Sequence, residues 1–183
     1  GLGIARGIIS GSNVKVLASE GGHVEYSPKT EIEWELKSWL KKSLSVERIS
    51  CERIVSGTGL SRIAEWRISK PDAKNHPLKK YLKELNISDT LRKELPEKIC
   101  NLSNQGDSIM TEVERIWLGA YASMLGDIAL QELCFGGLWI SGGTAPKHFI
   151  NFKSVLFMKQ FSDKGRVKAV SYTHLTLPTR LPV

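Results

Sequence analysis

Residues 18–25, ASEGGHVE, bring an acid, two glycines and a histidine together directly after an apolar run. Glu20 offers carboxylate acceptors, and His23 can donate or accept a hydrogen bond. Gly21 and Gly22 lack side chains, so another group can approach the backbone closely. This set suits a neutral polyol, since each hydroxyl bond to a charged group contributes about 1.5–3 kcal/mol. The plainer interpretation is a glycine turn with two exposed polar residues.

Sugar recognition requires several carboxylates around one pocket, and Glu52 is the candidate partner of this loop. Glu52 stands just before the short apolar stretch that leads into SGTGL at residues 56–60. The alternative is a surface acid beside Arg53, a neighbour of opposite charge.

Two further glycine loops, SGTGL at 56–60 and SGGTAP at 141–146, follow strand-like runs and lead into predicted helices. A helix N-terminus presents free N–H groups and the positive end of its dipole, which favours phosphate. Ser56 and Thr58 would add hydroxyl donors. Neither loop is specific by itself, because a serine and glycines before a helix usually form a cap. The chain lacks GxxxxGK[ST] and GxGxxG, so neither a Walker-type NTPase nor a dinucleotide fold is indicated.

The elements that position the first loop follow from local patterns. Aliphatic runs at 4–9 and 14–17, separated by Gly11-Ser12-Asn13, predict a hairpin. Thr30 and Glu33 have the spacing of a capping box, so a helix is predicted to begin there.

Further along, the predicted order is a strand at 53–55, a helix from SGTGL, a lysine-rich helical excursion at about 70–107, and a long helix over 108–134. In the long helix, Gly119 and Gly126 would allow close approach of a neighbouring element. A buried strand at 138–140 and a helix after SGGTAP complete the pattern. A hairpin followed by strand–helix units predicts an α/β domain.

The composition is that of a globular protein: 183 residues, 41% hydrophobic and 25% charged. No apolar run approaches the ~20 residues of a membrane helix, and no signal peptide is evident. Three widely spaced cysteines without a CxxC pair argue against a disulfide framework or a zinc site and fit a reducing cytosol.

The formal net charge of +7 raises the question of a polyanionic partner. The lysines are mixed with glutamates on the amphipathic segments 34–48 and 79–98, and no basic strip interleaved with aromatics is present. A solvated surface is the preferred interpretation, and a phosphate-bearing small ligand would also suit this charge.

Both ends of the chain are unusual for a domain. The chain opens on GLG without a methionine, and residues 171–183, SYTHLTLPTRLPV, have neither a helical nor a strand period. The tail resembles a read-through segment seen on assembled environmental sequences, and the alternative is a genuine disordered terminus. We therefore expect a gene fragment truncated at both ends and assign the tail no function.

The order of motifs GLG, EGGH, CER, SGTGL, SGGTAPK and DKGR resembles the bacterial glucokinase family, the hexokinase-like sugar kinases of the actin-type ATPase superfamily. The resemblance covers about residues 1–170. It implies a ribonuclease H-like, actin-like ATPase fold of the α/β class, with 1–170 as the partial large domain of a two-domain sugar kinase.

The resemblance also implies roles for individual residues. Glu20, His23 and Glu52 match the family's glucose-binding residues, and Gly1-Leu2-Gly3 resembles the end of a GTGLG phosphate loop. The implied nucleotide or phosphate contacts are Gly1, Gly3, Ser56, Gly57, Gly59, Gly142 and Gly143. The implied cofactor is ATP with Mg²⁺, and the implied partners are glucose and ATP, without nucleic acid or membrane. The resemblance also implies a cytoplasmic location and a homodimer of the intact protein.

The family's general base is an aspartate in an Asn-Asp pair upstream of GTGLG, and its first phosphate loop also lies upstream. Neither motif occurs in these 183 residues. We therefore assign no catalytic residue and no metal ligand. We expect ATP-dependent hexose kinase activity, phosphorylation of glucose to glucose 6-phosphate, for the parent protein and no useful activity for the isolated chain.

Three alternatives remain. The repressor–kinase sugar family has a similar ExGH signature, but its cysteine-rich zinc motif does not follow His23 here. A non-catalytic sugar-binding module would explain Glu20, His23 and Glu52 but not two glycine loops that open helices. A polyanion-binding protein would explain only the charge, and it predicts strongly salt-dependent binding to nucleic acid.

Overall fold

A computed structural model describes residues 1–84, 89–143 and 147–167 of the chain. The chain divides into two compact units, Gly1–Glu114 and Arg115–Val183. Across the described ranges, no helix has both the length and the apolar character needed to span a membrane. The predicted tail at 171–183 and residues 144–146 of the SGGTAP loop lie outside the described residues.

The first unit opens with the predicted hairpin, which is confirmed. Strands β1 (Ile4–Ser10) and β2 (Asn13–Ser19) pair antiparallel, from Ile4 opposite Ser19 to Ser10 opposite Asn13. Gly11 takes a φ of 60° at the first central position of the turn, where glycine is favoured. The hairpin delivers the chain directly to Glu20.

The helix predicted to begin after Thr30 is also confirmed, as α1 (Glu31–Leu44). The Thr30 hydroxyl accepts the Glu33 N–H, and the Glu33 carboxylate accepts the Thr30 N–H, both at 3.3 Å. Such a cap contributes about 1 kcal/mol. Leu36 and Leu40, four residues apart on one face, are fully buried.

Helix α2 (Gly57–Ile68) begins within SGTGL, directly after Ser56, and packs against α1 and against the excursion. The excursion is helical, with α3 (Leu78–Glu84) and α4 (Asp89–Asn104) after a 3₁₀ turn at Pro71–Ala73. These helices, with α1, form the core of the first unit.

No strand forms at 53–55, so that prediction is wrong. Cys51–Arg53 forms a single 3₁₀ turn, and the N–H groups of Ile54 and Val55 both donate to the Cys51 carbonyl, at 3.0 and 2.7 Å. Because this turn uses those donors, they cannot pair with a neighbouring strand. The β-branched side chains of Ile54 and Val55 are buried, at 0% and 2% exposure, although they are not in a strand.

The second unit contains most of α5 (Ser108–Glu132), close to the predicted 108–134, with α6 (Phe149–Phe152) and α7 (Val155–Ser162). A Cβ on Gly126 would lie 2.2 Å from the Phe161 carbonyl oxygen, which confirms the predicted close approach. Gly119 has no such contact, since its nearest neighbour is the Gln160 side chain at 4.0 Å.

The DKGR segment (163–166) packs against α5 in the second unit. The Lys164 side chain is buried, and its ammonium donates to the Ser123 carbonyl at 2.9 Å and to Asp127 Oδ1 at 2.5 Å. Lys164 thus has a structural role, anchoring the end of α7 beside Gly126.

The strand predicted at 138–140 is wrong as well. Within the described ranges the only sheet is the β1–β2 hairpin, so this apolar run has no neighbouring strand to pair with. Trp139 is 70% exposed instead of buried. The helix expected after SGGTAP is present but short, and Ile150 on it is 82% exposed.

Candidate functional site

Glu20, His23 and Glu52 lie together in the first unit, and we call them the Glu–His–Glu cluster. His23 Nε2 is 3.5 Å from Glu20 Oε2 and 3.4 Å from Glu52 Oε2. The Glu20 side chain is 92% exposed, that of His23 59% and that of Glu52 29%. The cluster therefore faces solvent, with Glu52 at its more buried side.

A tight turn brings Glu20 and His23 to the same side of the backbone. Gly21–His23 forms a 3₁₀ turn in which the His23 N–H donates to the Glu20 carbonyl at 2.9 Å. Residues i and i+3 of a 3₁₀ turn eclipse one another. The Ser19 hydroxyl accepts the Gly21 N–H at 3.0 Å and fixes the entry to the turn.

Gly22 is required by close packing against the backbone of Leu2, and Gly21 is crowded by two side chains. A Cβ on Gly22 would lie 2.4 Å from the Leu2 carbonyl oxygen. A Cβ on Gly21 would lie 3.1 Å from Ile4 Cδ1 and from Ser19 Oγ. The sequence predicted a close approach here, and the backbone that approaches is that of Leu2 in GLG, at Gly22.

Backbone pairing carries Glu52 to the loop from a distant part of the sequence. The Tyr26 N–H donates to the Ile49 carbonyl at 2.8 Å, and the Cys51 N–H donates to the Val24 carbonyl at 2.9 Å. These two bonds flank an antiparallel bridge between residues 25 and 50. The 3₁₀ turn that follows then directs Glu52 toward His23.

A network of charged side chains supports the far side of this bridge. Arg48 Nη2 donates to the His23 carbonyl at 2.8 Å, and Arg48 Nε donates to Glu25 Oε2 at 3.0 Å. Lys37 Nζ lies 2.6 Å from Glu25 Oε1 and donates to the Tyr26 carbonyl at 2.7 Å. The hydrogen bond from Lys37 lowers the pKa of the Glu25 carboxyl below its ordinary value.

The sequence did not single out Arg48, Glu25 or Lys37. Glu25 lies two residues beyond the EGGH motif, but the spacing alone does not connect it with Arg48 or Lys37. Only the pairing of 24–26 with 49–51 brings them together, and no local periodicity encodes that pairing.

Ser56 and Gly59 of the SGTGL loop both have structural roles. The Ser56 hydroxyl accepts the Gly59 N–H at 3.0 Å and caps α2. A Cβ on Gly59 would lie 1.9 Å from the Ile54 carbonyl oxygen, so no side chain fits there. Their predicted contact with a nucleotide stays a prediction.

Gly57 and Thr58 line a groove of about 930 Å³ between α2, the end of α1 and the helices of the excursion. Lys79, Lys83 and Lys93 line the same groove. From the sequence, these lysines were predicted to form a solvated surface. Arg62 and Glu65 also line the groove. Its lining therefore carries four cationic side chains and one carboxylate.

The remaining predicted phosphate residues lie in different places. A Cβ on Gly1 would lie 3.3 Å from Glu52 Oε1, so the GLG segment passes beside the cluster, whereas Gly3 is in open space. Gly142 and Gly143 belong to the second unit and are exposed, and Gly142 has a φ of 96°, which favours glycine. Their contact with a nucleotide also stays a prediction.

Comparison with known proteins gives one family. A family model described as Glucokinase matches residues 1–181. The glucokinase of Synechocystis sp. is 35% identical over 164 residues, which are 87% of this chain and 46% of that protein. The glucokinase of Nostoc punctiforme is 30% identical over 180 residues, 92% of this chain and 51% of that protein. The chain thus spans about half the length of the curated relatives it matches.

Two solved structures share the fold. Glucokinase from an Antarctic psychrotroph has a TM-score of 0.72 at 24% identity, over 98% of this chain and 51% of that one. Glucokinase from Balamuthia mandrillaris, solved in complex with glucose, has a TM-score of 0.75 at 21% identity, over 100% and 48%. The predicted α/β fold class of the sugar kinases is therefore confirmed.

Proposed function

The chain belongs to the glucokinase family, and on that premise we propose that it forms the glucose-binding part of an ATP-dependent glucokinase. The proposed reaction transfers the terminal phosphoryl group of ATP to the 6-hydroxyl of glucose, which loses its proton. The products are ADP and glucose 6-phosphate, as in the first step of glycolysis. The observation that carries the proposal is the convergence of Glu20, His23 and Glu52.

The geometry of the cluster supports a hydroxyl-rich ligand. The contacts of His23 with the two carboxylates, 3.4 and 3.5 Å, are longer than an ordinary N–H···O bond of about 2.9–3.0 Å. The three groups therefore retain hydrogen-bonding capacity for a ligand. In the proposed complex, Glu20 and Glu52 accept from sugar hydroxyls, and His23 bonds a further hydroxyl.

The charge of the cluster favours an uncharged sugar over an anionic one. Two carboxylates within 3.5 Å of the same histidine nitrogen disfavour a phosphate group at this point. Glucose has no charge, so it meets no such repulsion. This agrees with the proposed reaction, in which the sugar binds uncharged and receives its phosphate from ATP.

We propose that the glycine loops serve the phosphoryl donor. In the first unit, the proposed contacts of ATP with Mg²⁺ are Gly1, Gly3, Ser56, Gly57 and Gly59. In the second unit, a nucleotide contact of Gly142 and Gly143 stays a separate prediction. The groove beside Gly57 and Thr58 supports an anionic ligand at this end of α2, because Lys79, Lys83 and Lys93 line it and a helix N-terminus adds positive potential.

The general base is not assigned to this chain, so we propose that the 183 residues alone bind ligands without transferring phosphate. For the protein that carries the base, we propose a cytoplasmic location and retain a homodimer as a prediction. The metal is proposed only as the counter-ion of the ATP phosphates, and no side chain is assigned to it.

A ligand panel tests the proposal against its alternatives. The 183-residue chain is titrated in separate experiments with glucose, with ATP and Mg²⁺, and with a single-stranded oligonucleotide at two salt concentrations. Saturable binding of both glucose and ATP is expected, with weak binding to the oligonucleotide. Binding of glucose without ATP would support the sugar-binding module instead. Tight oligonucleotide binding that weakens steeply with salt would support the polyanion-binding alternative.

A further inference from the structure

We propose that Arg48 is a positioning residue that holds the His23 ring between the two carboxylates of the cluster. The inference rests on the proposed function, because the ligand that would benefit is the proposed sugar. Arg48 is outside the cluster and contacts the backbone of His23, not its ring. It would therefore act on the ligand through His23.

Arg48 bonds two acceptors at once. Its Nη2 donates to the His23 carbonyl at 2.8 Å, and its Nε donates to Glu25 Oε2 at 3.0 Å. Both lengths are those of ordinary hydrogen bonds, and the donor is charged. Since a guanidinium is planar and rigid, it fixes the His23 carbonyl relative to the Glu25 carboxylate.

Glu25 is itself fixed, so the constraint extends to helix α1. Lys37 on α1 lies 2.6 Å from Glu25 Oε1 and donates to the Tyr26 carbonyl at 2.7 Å. The Lys37 side chain is only 13% exposed, whereas those of Glu25 and Arg48 are 46% and 59% exposed. Lys37, the least exposed of the three side chains, is on helix α1. Arg48 therefore links that helix to His23 through Glu25.

Loss of Arg48 should loosen the site without unfolding the chain. The backbone bonds of Tyr26 to Ile49 and of Cys51 to Val24 do not involve the Arg48 side chain, so the bridge persists. The His23 carbonyl would lose its charged donor, and the peptide after His23 would gain freedom. Exposed ion pairs contribute little to stability. The expected effect is therefore on the direction of the His23 ring.

A glucose-independent measurement tests this directly. The ring C–H resonance of His23, one of four histidines, is assigned by its loss in His23→Gln. The shift of this resonance on Glu52→Gln is then measured in the wild-type and Arg48→Gln backgrounds. We expect a clear shift in the wild type and less than half of it with Arg48→Gln. A resonance that moves equally in both backgrounds, or in neither, overturns the proposal.

Glucose titration of the full chain adds the functional readout. Arg48→Gln should weaken glucose binding at least fivefold, with an unchanged circular dichroism spectrum. Arg48→Lys should recover only part of the lost affinity, since one ammonium replaces two separated donors of the guanidinium. This variant takes the place of Arg48→Gln if the latter does not fold. Lys42→Gln, an exposed charge removal on α1, is the matched control and should bind as the wild type. Wild-type affinity in both Arg48 variants overturns the proposal.

The two arms separate the inference from the proposed function. A wild-type chain that binds no glucose contradicts the proposed function, and the histidine resonance still decides the role of Arg48. A chain that binds glucose but shows no coupling between Arg48 and the His23 ring contradicts only the inference.

Discussion

His23 Nε2 lies 3.4 Å from Glu52 Oε2, although the two residues belong to different 3₁₀ turns that are remote in sequence. The backbone bonds between 24–26 and 49–51 create this contact. The site is therefore a product of tertiary pairing, and its integrity depends on the elements that hold the second turn in place.

The close contact between Gly59 and Ile54 provides a test of that dependence. Gly59→Ala would place a Cβ 1.9 Å from a buried backbone oxygen, so the turn carrying Glu52 and helix α2 must move apart. Overpacking of this kind costs typically 1–3 kcal/mol. We expect a lowered free energy of unfolding in urea and weaker glucose binding.

Gly57→Ala is the matched control for this prediction, because its Cβ would meet only the Pro96 side chain at 3.8 Å, an ordinary contact. It should leave the free energy of unfolding within about 0.5 kcal/mol of the wild type, as a change away from such features does. Equal losses in the two variants would contradict the packing account.

In the second unit, Gly126→Ala should destabilise the packing of α5 against the end of α7. Its Cβ would lie 2.2 Å from the Phe161 carbonyl oxygen and 2.5 Å from Lys164 Cε. Gly119→Ala on the same helix meets nothing closer than 4.0 Å and should stabilise the helix by up to about 1 kcal/mol. Thermal unfolding midpoints that shift in opposite directions would agree with this; two shifts of the same sign would contradict it.

Asp107 should make stability fall at acid pH. Burial alone would raise the pKa of its carboxyl, but hydrogen bonds from the Met110 N–H at 2.9 Å and from His76 at 2.9 Å bring the pKa below its ordinary value of 3.8. A carboxyl with a lowered folded-state pKa stabilises the fold above its unfolded-state pKa, and that contribution is lost as pH falls through the folded-state pKa.

The measurement is the free energy of unfolding between pH 6 and pH 2.5. The wild type should lose stability below about pH 4, the unfolded-state range of an aspartate, and Asp107→Asn should lose less over the same interval. The asparagine still caps the start of α5, so the cap itself is retained. Parallel pH profiles for the two proteins would show that Asp107 does not contribute.

Local signals predicted much of the fold correctly, and long-range pairing explains where they failed. The capping box at Thr30 and the turn at Gly11 depend only on near neighbours, and both are confirmed. The apolar runs at 53–55 and 138–140 resemble strands, but whether such a run becomes a strand depends on a neighbour that no local pattern specifies.

The same distinction applies to the site. Glu20 and His23 share one motif, so their proximity follows from three residues of spacing. Glu52 was a candidate from its position before SGTGL and from the family resemblance, but its contact with His23 follows only from the fold. Arg48 was missed because a solvent-exposed arginine in a short connection has no local signature of a supporting role.

Calorimetric titration of the 183-residue chain with glucose decides whether the Glu–His–Glu cluster is the sugar site. Glu20 is 92% exposed, so Glu20→Gln removes a proposed ligand without disturbing the core. Glu47→Gln, a fully exposed acid whose carboxylate lies 3.9 Å from Lys41 Nζ, is the matched control. We expect the affinity for glucose to fall at least tenfold, about 1.4 kcal/mol, in Glu20→Gln and to be unchanged in Glu47→Gln. Equal affinity in the wild type and Glu20→Gln would contradict this expectation.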